Sequence, residues 1–316
     1  MRAMQLQRYG GANELRLAET SEPRPGPGKV LVRVFCASVN PVDWKRASGS
    51  LRLIMPVRFP AVPGYDISGE VVSMGAGVAD FAAGMRVHAR IADMNAGACA
   101  DLAIVGATEL VQMPVDMPFD IAAALPLAGM TALQALRDGA GLSQQPGAHQ
   151  RVLVVGASGG VGHIGVQIAK ASDAWVTGVC SARNVGFVRE LGADEVLDYT
   201  RSDAFRGVPP FDVVLDCVAG DPGRWLGLMS EHARYVSVIP GPATFIWPLL
   251  HPLSRRRVRP WMLKTNGEDL RQLDALWLKG SLKVAVDSRF PLSSLGAAWQ
   301  RSMSGRAVGK IVINVM

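Results

Sequence analysis

The chain has 316 residues, of which 49% are hydrophobic and 19% charged, and its formal charge is +6. That is enough length for two domains with cores of their own, and the balance of residues is that of a soluble globular protein, not a disordered one. No apolar run reaches the roughly 18 residues of a membrane span, and MRAMQLQRYGG at the start has no apolar stretch of signal-peptide length. Cys36, Cys99, Cys180 and Cys217 lie far apart with no CxxC pair, which reads as reduced thiols in a cytoplasmic protein. Much of the charge comes from 254-SRRRVR-259. With no aromatic or groove-fitting module around it, this cluster reads as a solvated loop, with attraction of anionic substrates or lipid surfaces as the lesser reading and no nucleic-acid partner.

Residues 1 to about 121 are β-rich and turn-rich. Lys29–Val39 (KVLVRVFCASV) begins with the alternation of a half-buried strand, and Ile67–Val72 and Arg86–Ile91 are similar, separated by turns such as 75-GAGVADFAAG-84. From Phe119 the pattern turns helical in FDIAAALPLAGMTALQAL, interrupted at Pro126. Strands and helices then alternate. Val152–Val155 precedes a helix after Gly162, and Trp175–Val179 precedes one over Asn184–Leu191. Strands follow at Glu195–Leu197, Val213–Leu215 and Tyr235–Ile239. Such alternation predicts an α/β chain with a parallel, doubly wound sheet. Residues 240–262 read as irregular and proline-rich, and helices near Glu268–Leu278 and Leu292–Met303 lead to a last strand in 309-GKIVINV-315.

The stretch 151-RVLVVGASGGVGHIGVQIAK-170 joins a strand, a glycine turn and a helix, the layout that binds a dinucleotide pyrophosphate. In 157-ASGGVG-162, Gly159 lets the backbone approach the pyrophosphate and Gly162 allows close helix–strand packing, with Ser158, Gly160 and Val161 completing the turn. Ala157 stands at the first glycine position, so the turn differs slightly from the strict fingerprint. An NAD site places a carboxylate about 20 residues on, at the end of the second strand. Here that place reads 178-GVCSARN-184, with Ser181 and Arg183 and no acid. A guanidinium pairs with a 2′-phosphate that a carboxylate would repel, which favours NADPH. Arg183 also has a bland reading, as a solvated residue of a helix's first turn.

The motifs 38-SVNPVDWKRASG-49, 63-PGYDISGEVV-72, 122-AAALPLAGMTAL-133, 154-VVGASGGVG-162, 192-GADEVLDY-199, 211-FDVVLDCV-218 and 309-GKIVI-313 run the length of the chain. Through them the chain resembles the medium-chain dehydrogenase/reductase superfamily, in its zinc-free quinone oxidoreductase (zeta-crystallin-like) and enone oxidoreductase branch. The resemblance implies a GroES-like catalytic domain over 1–121, completed by 261–316, a Rossmann domain over 122–260, a site in the cleft between them and a homodimer. It also implies that Tyr199 sits near the adenosine 2′-phosphate and Thr131 near the nicotinamide. The loops 217-CVAG-220 and 237-SVIP-240, with Val218 and Ile239, would run along the cofactor. Val308 in 306-RAVGK-310 departs from the arginine that the branch often has there.

Zinc members of the superfamily carry Cys, His and a further Cys or Asp as catalytic ligands, with a four-Cys structural cluster. Here the first ligand position is Asn40, the His-Glu place reads Tyr65-Asp66, and Cys99 has no cysteine neighbours. His88 and His163 have no paired ligand at useful spacing and read as packed or surface imidazoles, so no metal is expected. Without a Lewis acid, hydride delivery to an activated C=C fits better than reduction of a simple carbonyl, because charge develops on a conjugated oxygen that needs only hydrogen-bond donors. In 40-NPVDWK-45, Asn40 is a candidate donor to that oxygen, Lys45 a candidate to stabilise charge or relay a proton, and Asp43 a candidate to orient Lys45 or the ribose. Asn40 and Asp43 could equally cap the short helix that follows, and Lys45 could be solvated. The apolar segment 244-TFIWPLLHPL-253 reads either as core or interface packing or as the wall of a site for a bulky apolar conjugated substrate. These features give an NADPH-dependent reductase of enones, quinones or polyenes, with reductive ring closure in specialised metabolism as a variant. Against it stand a zinc-independent alcohol dehydrogenase and a non-catalytic NADPH-binding protein of sensor or crystallin type.

Overall fold

The computed structural model describes residues 1–93, 97–142, 149–218 and 220–316. Its elements begin with β1 (Arg2–Leu6), β2 (Leu15–Glu19), β3 (Lys29–Val39), α1 (Pro41–Ala47), β4 (Asp66–Met74), β5 (Arg86–Arg90), β6 (Leu102–Gly106), β7 (Leu110–Gln112), α2 (Phe119–Ala124) and α3 (Pro126–Gln134). The strand–helix alternation follows as β8 (Arg151–Val155), α4 (Gly162–Ala171), β9 (Trp175–Cys180), α5 (Val185–Glu190), β10 (Glu195–Asp198), β11 (Phe211–Asp216) and β12 (Met229–Ser237). The chain closes with α6 (Pro242–Leu250), β13 (Arg257–Pro260), α7 (Gly267–Leu278), β14 (Val286–Pro291), α8 (Leu295–Met303) and β15 (Lys310–Asn314).

The chain divides into two compact units. The first comprises Met1–Leu127, Thr265–Ala275 and Val284–Met316, and the second Ala128–Lys264 and Leu276–Lys283. In the first, β14, β15, β3, β4, β5 and β7 pair in that order, and β6 adds to β3. The alternation read from KVLVRVFCASV holds in part: Val30, Val32 and Val34 are wholly buried while Arg33 is exposed, but Leu31 between the first two is buried as well. These valines, with Ile67, Val87, Trp299 and Ile313, form the core of the unit. The register sets Ser38 opposite Asp66 on β4 and Val39 opposite Ile311 on β15. The end of β3 is thereby boxed between the start of β4 and the start of β15, 271 residues away in the chain.

In the second unit six parallel strands take the order β10-β9-β8-β11-β12-β13. This is the doubly wound order in which the chain starts at the centre, builds outward one way, then returns to build the other way. The reversal falls between β8 and β11, and ligands of such sheets bind at the carboxyl ends of the strands beside that point. Leu153, Val155, Val179, Phe211, Val214 and Tyr235 pack the core on this sheet.

The strand read over Tyr235–Ile239 runs Met229–Ser237, the strand β14 was not read, and one longer stretch differs in kind. Residues 240–262 contain α6 and the edge strand β13. Pro242 stands in the first turn of α6, where its missing N–H costs nothing and its fixed φ favours the helix. Thr244 is buried and donates from Oγ1 to the Gly220 carbonyl at 2.6 Å, and Trp247 packs on the core. Phe245, Ile246, Leu249 and Leu250 are exposed, so this half of the apolar segment is not core packing.

Candidate active site

The glycine turn occupies the carboxyl end of β8, at the switch point. Gly156 has φ +76°, the left-handed conformation that a side chain disfavours, and it takes the strain of the turn one residue before Ala157. That is why alanine is tolerated at 157. A Cβ on Gly162 would lie 2.1 Å from the Gly156 oxygen, so no other residue lets α4 begin this close to the strand end. The turn is braced by the Gly159 N–H donating to Gly156 O at 2.9 Å and by the His163 N–H donating to Gly159 O at 3.0 Å. The His163 imidazole Nδ1 reaches the same Gly159 oxygen at 2.8 Å, so His163 is a packed residue holding the turn. The N–H groups of Gly160, Val161 and Gly162 have no acceptor among the described residues. Three unspent donors at the amino end of a ten-residue helix form an anion cradle, and they fit a pyrophosphate.

The other expected cofactor residues of this unit fall mostly on the same sheet edge. Ser181 and Arg183 follow β9, Tyr199 follows β10, Val218 follows β11 and Ile239 follows β12. Arg183 and Tyr199 are exposed, Val218 is exposed, and Ser181 and Ile239 are half-buried. Thr131 lies on α3 and is buried. Of the loop 217–220, Ala219 lies outside the described residues. Two supports escaped the sequence reading. Asn184 donates from Nδ2 to Ser158 Oγ at 2.9 Å, tying the loop after β9 to the glycine turn. Buried Asp216 at the end of β11 accepts the Val218 N–H at 2.8 Å and the Tyr235 hydroxyl at 2.6 Å. Burial, reinforced by this carboxylate, pushes the Tyr235 phenol far up, so it stays protonated and donates to Asp216.

In the first unit, α1 starts where β3 ends. Asn40 is its N-cap residue, Pro41 its first residue, and Asp43 its third. The Asp43 carboxylate accepts the Asn40 backbone N–H at 2.7 Å, and the Asp43 N–H donates to the Asn40 carbonyl at 3.0 Å. This is the capping role for Asp43. Asp43 is 4% exposed, and burial pushes its carboxyl up to about 7, with the Asn40 N–H pulling the other way and the Asp66 charge adding to the rise. Lys45, half-buried, lies with its Nζ 5.5 Å from the centroid of the Trp44 ring.

The Asn40 side chain, 1% exposed, belongs to a network that the sequence reading did not assemble. Its Nδ2 donates to Asp66 Oδ2 at 2.8 Å, an oxygen that also accepts the Ser38 hydroxyl at 2.9 Å. The other Asp66 oxygen accepts the Leu127 N–H at 3.0 Å. On the opposite side, the Lys310 ammonium donates to Asn40 Oδ1 at 2.5 Å and to the Val39 carbonyl at 3.2 Å, and stands 3.8 Å from Asp66 Oδ2. Lys310 is 3% exposed, and burial lowers its pKa while the Asp66 and Asp43 carboxylates oppose that change. A charge heading an otherwise apolar strand, 310-KIVIN-314, was the only local signal of this contact.

This donor set does not fit zinc. Where the superfamily's metal ligands would stand, the chain places the Asn40 amide, with the Lys310 ammonium against it, and the phenol of Tyr65, whose oxygen accepts from Arg46 Nη1 at 3.0 Å. Among the described residues no three His, Cys, Asp or Glu side chains are grouped to hold a metal. His88, wholly buried, is packed between the Ala122 carbonyl at 3.1 Å and Asp274 at 3.0 Å. The four cysteines are free thiols, and burial pushes Cys36 up to about 12 and Cys180 up to about 11. A thiol so far above its usual value is protonated at neutral pH and inert as a nucleophile.

A phosphate cradle at the switch point of a parallel sheet, with a separate β-unit carrying a buried polar network, defines a dinucleotide-dependent oxidoreductase. Residues 26–124 match the alcohol dehydrogenase GroES-like domain and residues 191–313 match the zinc-binding dehydrogenase family. The chain is 38% identical to the chloroplast envelope quinone oxidoreductase homolog of Arabidopsis thaliana, over 99% of its own length and 98% of that protein. It is 31% identical to the mitochondrial NAD(P)H oxidoreductase RTN4IP1 of Homo sapiens, covering 92% of this chain and 82% of that one. It is 33% identical to the trans-enoyl reductase pgmF of Aspergillus terreus, over 92% and 87% of the two chains. The structure of the quinone oxidoreductase from Coxiella burnetii superposes with a TM-score of 0.90 at 30% identity, covering 100% of this chain and 99% of that one. The chain belongs to the medium-chain dehydrogenase/reductase superfamily and is an oxidoreductase, with a GroES-like domain and a Rossmann domain.

Proposed function

We propose that this protein is an NADPH-dependent, zinc-independent reductase that delivers hydride to the conjugated C=C of an enone, quinone or polyene. The observation that carries the reading is the Asn40 amide. Among the described residues its two Nδ2 hydrogens have one acceptor between them, Asp66, which leaves one buried donor unspent. A buried N–H without a partner costs about 1–3 kcal/mol, and an oxygen that gains negative charge during reaction recovers that cost. When bound, NADPH supplies the hydride. Gly160, Val161 and Gly162 hold the pyrophosphate through their N–H groups, and Ser181, Arg183 and Tyr199 meet the adenosine end, where the segment after β9 carries no acid of its own and the neighbouring Asp198 carboxylate takes the Ala182 N–H. Thr131, Val218 and Ile239 line the rest of the cofactor. Asn40 donates to the enolate oxygen, Asp43 fixes the turn that carries Asn40, and Lys45 on the same helix is the candidate to stabilise charge or return a proton. The trans-enoyl reductase among the relatives supports C=C chemistry, and the NAD(P)H oxidoreductase supports the cofactor class.

One observation favours a second reading, the zinc-independent alcohol dehydrogenase. A carboxyl near 7 is a suitable general base, and Asp43 has that value. Its Oδ2 is held by Asn40 and it is buried, which argues for the cap instead. Turnover against a panel of enones, quinones and alcohols with both cofactors decides between them. NADPH-driven loss of the conjugated absorbance is expected. NADPH binding with no turnover on any conjugated acceptor would refute the reading. We further propose a cytoplasmic homodimer, for which analytical ultracentrifugation is expected to give twice the chain mass. Among the described residues no helix is long and apolar enough to cross a membrane.

A further inference from the structure

The Asn40 amide could lie either way round in its pocket, with the unspent N–H facing one side or the other. Two neighbours of opposite chemistry remove that choice. Asp66, whose Oδ2 also takes the Ser38 hydroxyl, accepts from the amide, and an ammonium only donates, so Lys310 must face Oδ1 and Asp66 must face Nδ2. The Lys310 ammonium has three hydrogens, and Asn40 Oδ1, the Val39 carbonyl and the Asp66 carboxylate lie around it at 2.5, 3.2 and 3.8 Å. Each of these partners sits on a strand end or a cap: Asn40 caps α1, Val39 ends β3 and Asp66 opens β4, while Lys310 itself opens β15. The ammonium is therefore rigidly placed, and it puts a fixed positive charge beside the residue that stands at the superfamily's first metal-ligand position.

We propose that Lys310 is a positioning residue of the reductase: its ammonium locks the Asn40 amide in the one orientation that leaves an N–H for the substrate oxygen. The inference rests on the proposed donor role of Asn40. Without the ammonium, Asn40 Oδ1 loses its partner and the amide gains freedom to rotate, so the donor is present only part of the time. A loss of this kind appears in kcat, because the contact is made in the transition state and not in cofactor binding. Since both residues act through one hydrogen bond, their effects on kcat are coupled rather than multiplicative.

The experiment compares the full-length wild type with Lys310→Met, Asn40→Ala and the double variant, using the conjugated substrate with highest turnover. Expected is a tenfold or greater fall in kcat for each single variant, with NADPH affinity changed less than twofold and the double variant within threefold of either single. The primary isotope effect with C4-deuterated NADPH should rise in Lys310→Met, as hydride delivery becomes slower than other steps. If Asn40→Ala keeps wild-type kcat, the donor reading fails. If Asn40→Ala is impaired while Lys310→Met stays within threefold of wild type, or if the double variant multiplies the two losses, the Lys310 proposal alone is overturned. Should Lys310→Met not fold, nitrogen-15 lysine NMR of the wild type provides the test. A slowly exchanging ammonium signal that shifts in Asn40→Ala is expected, and the absence of any protected ammonium would overturn the proposal.

Discussion

Replacing Asp43 by asparagine should stabilise the protein at pH 8 and do so much less at pH 5. The Asp43 carboxyl is 4% exposed and among the described residues its Oδ1 has no hydrogen-bond partner, so ionisation is opposed by burial and helped at one oxygen, by the Asn40 N–H. Burial raises its pKa from 3.8 to about 7. A folded-state value above the unfolded one means that the native state binds more protons between them. The stability it contributes is fully present below about pH 4 and is lost as pH rises through about 7. At about 1.4 kcal/mol per tenfold change, the loss is on the order of 4 kcal/mol at full ionisation, and between pH 5 and pH 8 roughly 2–3 kcal/mol of it develops. Asparagine keeps an oxygen for the Asn40 N–H and never ionises, so it escapes that loss. Urea unfolding of both proteins at the two pH values measures it. The variant's advantage should grow by about 2 kcal/mol from pH 5 to pH 8. An advantage that is equal at both, or that shrinks as pH rises, would show that Asp43 is ionised in the folded protein at pH 5 and that the burial argument is wrong.

Two other substitutions probe the second unit. Gly162→Ala places a Cβ 2.1 Å from the Gly156 oxygen, so the turn must move. Overpacking of this sort costs about 1–3 kcal/mol, and fluorescence titration should show NADPH and NADH binding both weakened at least tenfold; unchanged affinities would remove the turn from the cofactor site. Arg183→Ala should weaken NADPH binding more than tenfold, from loss of a charge-assisted contact of roughly 1.5–3 kcal/mol, and leave NADH nearly unaffected. Equal losses for both cofactors would show that Arg183 does not read the 2′-phosphate.

What the sequence made legible was local. The glycine turn stood out because a β-branched run, glycines and helical spacing coincide within twenty residues, and β3 was bounded correctly because its valines alternate with Lys29 and Arg33. The stretch 240–262 misled because proline reads as a breaker, whereas Pro242 starts α6, and because an apolar helix exposed on its outer face shows no two-sided pattern. The network around Asn40 was invisible for a different reason. Asp66 was read only as a missing metal-ligand residue, and Lys310 is 270 residues from Asn40. Only the pairing of β3 with β4 on one side and β15 on the other brings them together. No periodicity encodes that, although a lysine at the head of an apolar strand is a signal that a buried charge has a partner.

The central claim is that hydride goes to the carbon β to a carbonyl and not to the carbonyl carbon. Incubation with an enone and NADPH deuterated at C4 of the nicotinamide, on each face in turn, followed by NMR of the product, tests it directly. The account predicts a saturated ketone with one deuterium on its β carbon, delivered from one of the two faces. Deuterium on a carbinol carbon, with the C=C intact, would contradict it and establish the alcohol dehydrogenase reading in its place.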